Sequence, residues 1–175
     1  KNEAGKIEIV EEIKYKVLNL KNEDYIHTVT LETFKTNEGN PKIAKVMVKN
    51  ADSTLAMLHE NDLESYVADH QKGQTYKENF TIKGGSWIFV EKVVKNVYEG
   101  KKIADFHYPT EHSLDLTIIV QFLTPMDEFD FSFTVPFLKK PILDYELSGL
   151  DTRVYTKIPL ALKAQSIMYE ISLKE

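Results

Sequence analysis

Hydrophobic and polar residues alternate along most of this chain. The clearest case is Leu114, Leu116, Ile118, Val120 and Phe122, then the turn-rich Thr124-Pro125-Met126-Asp127-Glu128, then Phe129, Phe131, Phe133, Val135 and Phe137. Side chains on a strand point alternately to its two faces, so two such runs joined by a short polar link predict an antiparallel hairpin with one buried face. The other face carries Asp115, Thr117, Gln121, Asp130, Ser132 and Thr134. The same period recurs in Ile7, Ile9, Ile13, Tyr15 and Val17, broken at Glu11. A helix through Ile9, Ile13, Val17 and Leu20 competes there, and the β-branched and aromatic content favours the strand.

Further strands are expected over 25–34, 42–48, 76–82, 87–98, 103–108, 142–147, 154–162 and 167–173. Gly84-Gly85 predicts a turn, and Glu99-Gly100 predicts a hairpin tip between the strands on either side. Pro159 lacks an N–H for the ladder, so it should confine its strand to an edge or split it. One segment has a different rhythm: Leu55, Leu58, Leu63, Tyr66 and Val67 fall near helical spacing behind Ser53 as N-cap, which predicts a helical insertion over residues 54–69. The expected fold is mainly β: an antiparallel β-sandwich, or sandwich-like barrel, of roughly nine or ten strands in a single domain over residues 1–175.

Composition narrows the function classes. The net charge of −5 argues against nucleic acid as a partner, because phosphate binding needs clustered positive charge. Arg153 is the only arginine, so bidentate guanidinium recognition is restricted to one position. The lysine bias points to a low-GC bacterium. Cysteine is absent, which excludes disulfides and thiolate metal sites. No stretch approaches the ~18 apolar residues of a membrane-spanning helix. The chain opens Lys1-Asn2-Glu3, without an initiator Met or apolar leader, and is read as a mature or trimmed segment.

The densest set of ligand-type residues is Asp105, His107, Glu111 and His112, with Tyr108 between them. Imidazole and carboxylate donors suit Zn²⁺, but the spacing is that of a strand end and loop, where such residues are usually solvated. His59 and His70 would lie ~16 Å apart along a continuous helix, too far to share one ion. His27 alternates with Tyr25 and Val29 and is expected in the core. No nucleophile motif occurs, and neither a metal nor any other cofactor is expected. Binding residues concentrate in loops on rigid sheets, so the candidate contact residues are Trp87, His107, Tyr108, Glu111, His112 and Met126. The leading expectation is a non-catalytic, extracytoplasmic binding module of a bacterial surface protein or lipoprotein, with a protein or cell-envelope partner. The alternatives are a carrier of a small apolar ligand (lipid-like or tetrapyrrole) behind the Phe129–Phe137 stripe, and a metal-dependent enzyme built on His107, Glu111 and His112.

Overall fold

The computed structural model describes residues 7–33, 39–63, 73–98, 102–107, 113–122, 129–134, 143–148, 151–161 and 167–173. Twelve strands account for most of them: β1 (Ile7–Leu18), β2 (Tyr25–Glu32), β3 (Lys42–Lys49), β4 (Thr54–His59), β5 (Thr75–Ile82), β6 (Trp87–Tyr98), β7 (Lys102–His107), β8 (Ser113–Phe122), β9 (Phe129–Thr134), β10 (Leu143–Ser148), β11 (Asp151–Ala161) and β12 (Ile167–Leu173). A single helical turn, α1 (Glu60–Leu63), follows β4.

Seven strands form one sheet in the order β10-β11-β8-β1-β6-β3-β4, three form a second as β7-β12-β9, and β2 with β5 makes a two-stranded ribbon. Every pairing is antiparallel. The large sheet ends at β10 and β4, so it is open, and the barrel alternative does not hold for the described residues.

The core follows from the alternation. In β1 the odd positions Ile9, Ile13, Tyr15 and Val17 are buried, and register sets them beside Ile88 and Val90 of β6 and Ile118 and Val120 of β8. One hydrophobic cluster joins these to Ile43, Val46 and Val48 of β3, Val29 of β2, Tyr76, Phe80 and Ile82 of β5, Ile158 of β11 and Ile167 of β12. Tyr76 buries its ring completely and donates its hydroxyl to Glu78 Oε2 at 2.6 Å. His27 is buried beside Tyr25, as its parity predicts.

Four expectations about individual segments need correction. The runs Leu114–Phe122 and Phe129–Phe137 do not form a hairpin: β8 lies between β1 and β11, whereas β9 pairs with β12 in another sheet. Likewise β6 does not pair with β7 across Glu99-Gly100, since its neighbours are β1 and β3. Period-two alternation states which face is buried and nothing about which strand lies alongside. The helical insertion over 54–69 is also wrong over its first part, because Thr54–His59 is a strand in a hairpin with β3, closed by Asn50 N–H donating to Ser53 O at 3.0 Å. Ala56 and Leu58 face the core while Leu55 and Met57 face outward, so the pattern is a strand's. Only Glu60–Leu63 is helical there, and residues 64–69 lie outside the described residues.

Pro159 neither splits β11 nor stops it from pairing with β10 and β8. The described β10 ladder covers Asp151–Thr156, so among the described residues only β8 adjoins the strand at Pro159. It is skipped in that ladder, which runs from the Ile158–Leu116 pair to the Leu160–Leu114 pair, opposite Asp115 with its φ of 51°. The expectation that Pro159 confines its strand to an edge or splits it therefore does not hold.

Candidate functional site

The face of the large sheet turned away from the core carries most of the chemistry among the described residues. On β6 the outward positions are Trp87, Phe89, Glu91, Val93 and Lys95, and register places Leu18, Lys16, Lys14, Glu12 and Val10 of β1 alongside them. On the other side of β6, Lys49, Met47 and Lys45 of β3 stand opposite Phe89, Glu91 and Val93.

At the centre of this face, Glu91 is only 7% exposed although it points away from the core. Lys45 donates to Glu91 Oε1 at 2.9 Å, and Lys14 lies 2.9 Å from Glu12 Oε1. The Glu12 and Glu91 carboxyls lie close enough to interact, and each shifts the other. Burial, then the bond to Glu91, raises the Glu12 carboxyl above its usual range, against the pull of Lys14. Burial also pushes Glu91 upward, but the Glu12 hydrogen bond and the Lys45 ammonium together hold it below the usual range. A raised carboxyl contributes stability at low pH and loses it as pH rises through the folded-state value. Glu12→Gln keeps a hydrogen-bond donor and removes that loss. It is therefore expected to match wild type near pH 4 and exceed it at pH 7, on the order of 0.5 kcal/mol for so partly exposed a pair. Thermal unfolding at the two pH values measures this, and a variant less stable than wild type at pH 7 would contradict the raised Glu12 carboxyl.

Toward one end the face changes character. Lys16 Nζ sits 5.4 Å from the centre of the Trp87 ring, and Lys49 Nζ sits 5.0 Å from that of Phe89. Each ammonium is attracted by the ring's negative face, by about 0.5–1 kcal/mol at exposed sites. Lys16 has Asp115 at the longer distance of 3.9 Å. Leu18, Leu55 and Met57 remain exposed nearby on the same sheet.

This end is held by two loops. Asn19, buried after β1, donates from Nδ2 to the carbonyls of Glu23 at 2.8 Å and Ile82 at 3.0 Å, and accepts from Lys21 N–H at 3.1 Å. Asn19 N–H donates to Ser86 O, and Gly85 N–H is shared between the carbonyls of Asn19 and Lys21. Gly85 adopts φ of 70°, and a Cβ on Gly84 would stand 2.4 Å from the Asn22 carbonyl oxygen, so the predicted Gly-Gly turn is required by both conformation and space.

The predicted contact residues divide. Trp87 lies on this face, where the two loops meet. His107 ends β7 opposite Ile167 of β12. Tyr108, Glu111, His112 and Met126 lie outside the described residues, as do His70 and residues 135–137. Leu114, near the start of β8, pairs with Lys16, so β8 begins close to the Trp87 end. His59 lies on β4 instead of a helix and is exposed. Among the described residues no group of three or more His, Asp or Glu side chains could hold a metal ion, and no helix is long and apolar enough to cross a membrane.

Sequence reasoning missed Lys16, Lys49 and the Glu12–Glu91 pair. The parity that marks Ile13, Tyr15 and Val17 as core also assigns Glu12, Lys14 and Lys16 to one outward row, but only strand pairing brings that row to β6 and β3. Comparison with known protein families and with curated proteins gave no match to this chain.

Proposed function

We propose that the chain is a non-catalytic binding module whose contact surface is the outer face of the seven-stranded sheet at its Trp87 end, and that its partner is anionic. The observation that carries this reading is the pair of lysines set over adjacent outward rings, Lys16 over Trp87 and Lys49 over Phe89. The lysines at the centre of the face are matched by close carboxylates, whereas these two are directed over aromatic surface. An anion that also offers a flat or apolar portion would meet both charges and rings. The same proposal takes the sheets as layers of a sandwich, supported by the single core cluster that draws on all three. It also places the module in an extracytoplasmic surface protein of a low-GC bacterium, the source to which the lysine bias points. Protease accessibility on intact source cells tests that placement.

Trp87 is the only tryptophan, so its emission reports on the site directly. Titration with poly-L-glutamate and with inorganic polyphosphate is expected to change that emission saturably, with neutral dextran as the control. Lys16→Ala and Lys49→Ala should each weaken binding about five-fold, as a partly exposed charge contact worth roughly 1 kcal/mol implies. If neither polyanion alters Trp87 emission, or if both variants bind as tightly as wild type, the reading is wrong.

A further inference from the structure

The large sheet has two edges of different character. At one end β10 reads Leu-Asp-Tyr-Glu-Leu-Ser, with Asp144 and Glu146 within its six residues. At the other end β4 reads Thr-Leu-Ala-Met-Leu-His, with no acid, lysine, arginine or proline. Proteins usually blunt an exposed edge with charge or proline, because its unpaired N–H and C=O groups template another strand. β4 carries neither device, and no described strand pairs with its outer side.

The backbone direction can be followed. His59 donates its N–H to Asp62 Oδ2 at 3.0 Å instead of to β3. Successive residues of a strand send their N–H and C=O groups to opposite edges, so Met57 shares the direction of His59 and presents both groups on the free side. Its side chain is 45% exposed, and Leu55 is 40% exposed. Ala56 and Leu58 anchor the strand by packing on the core from the other face.

Charge then selects the occupant. Asp52 lies in the turn before β4 and Asp62 in the helical turn after it, where Glu60 is already met by Lys95 at 3.1 Å, and residues 50–63 themselves contain no lysine or arginine. Pairing of β4 with a second copy across a two-fold axis would bring Asp52 of one chain toward Asp62 of the other, a like-charge contact at both ends. An incoming strand with basic residues beside its ends meets those acids favourably, over the ~20 Å that six strand residues span.

We propose that the free edge of β4 is a strand-addition site for an extended segment of a partner protein that carries lysine or arginine beside both ends. The added strand hydrogen-bonds to the backbone at Met57, and its outward side chains extend the face formed by Leu55 and Met57. Main-chain pairing gives the affinity, and the flanking acids give the selectivity. The site is independent of the Trp87 surface and does not rest on it.

The test uses a capped peptide of six alternating threonine and valine residues flanked by two lysines at each end, and a second peptide with glutamates in place of the lysines. The lysine peptide is expected to bind saturably and to slow amide exchange at Met57 at least ten-fold, with the glutamate peptide at least ten-fold weaker. Asp52→Lys, on an exposed turn, should weaken the lysine peptide about three-fold and strengthen the glutamate peptide, with the unfolding midpoint showing that the fold is intact. Equal affinity for the two peptides, undetectable binding of the lysine peptide, or an unchanged Met57 amide in its complex would overturn the proposal. Self-association that protects Met57 without peptide would overturn it in favour of a second copy.

Discussion

Asn19→Ala is expected to lower the unfolding free energy by about 2–3 kcal/mol, the larger of the two effects with clear structural causes. The side chain is buried and serves three backbone groups: the carbonyls of Glu23 and Ile82, to which it donates, and the N–H of Lys21, from which it accepts. Alanine leaves these groups without a partner, and an orphaned buried group costs about 1–3 kcal/mol, less where water can reach it. The loop that Asn19 organises packs against the turn before Trp87, through Asn19 N–H on Ser86 O and Gly85 N–H on Asn19 O. Loss of the clamp should therefore also alter Trp87 emission in the folded state. Urea unfolding measures the first effect and native fluorescence the second. Asn19→Asp is nearly isosteric but turns an acceptor toward two carbonyls, so it should be at least as damaging. If aspartate restores wild-type stability, donation by the amide is not the cause.

Lys92→Met is expected to act in the opposite direction, raising stability at pH 7 by about 1–3 kcal/mol, as replacing a buried charge by hydrocarbon of similar length often does. Lys92 sits in the inward row of β6 with Ile88 and Val90 and is only 6% exposed. Its ammonium donates to Thr30 O at 2.6 Å and lies 5.2 Å from the centre of the Tyr15 ring. Burial lowers its pKa to about 8 from the ordinary 10.5. Below pH 8 both folded and unfolded chains hold the proton, and the full cost of burying the charge is present. Between about pH 8 and 10 the unfolded chain binds more protons than the folded one, so wild-type stability rises. Above pH 10 the sign reverses through Tyr15, whose hydroxyl is held protonated by burial while that of the unfolded chain ionises. The variant should lack the rise between pH 8 and 10 and keep the decline above it. Denaturant unfolding from pH 7 to 11 on both proteins gives the comparison, and a variant less stable than wild type at pH 7 would show that the Thr30 and Tyr15 contacts outweigh desolvation.

These two residues mark different degrees of legibility. Lys92 is visible as a charge in an apolar parity, since Ile88, Val90 and Lys92 fall on one side of the alternation. That anomaly needs no partner to be noticed, although its resolution by Thr30 and Tyr15 does. Asn19 has no such signal. It follows a strand in a polar stretch, like many solvated asparagines, and its role depends on the β5–β6 turn more than sixty residues away.

What the amino-acid order determined by itself was local: a chain made mostly of strands, the buried face of β1, β2, β3 and β8, the turn at Gly84-Gly85 and the placement of His27 in the core. Alternation and turn chemistry are properties of a few consecutive residues, and burial of one face is enough to express them. Only the tertiary structure decided which strands adjoin. It moved β8 away from β9, assigned β7 and β12 to another sheet and made Thr54–His59 an edge strand, where leucine spacing alone had suggested a helix. It also created the Lys16–Trp87 and Lys49–Phe89 pairs and the Glu12–Glu91 contact. Backbone hydrogen bonding is the same for any pair of strands, so partner choice rests on long-range packing of side chains, which no local window contains.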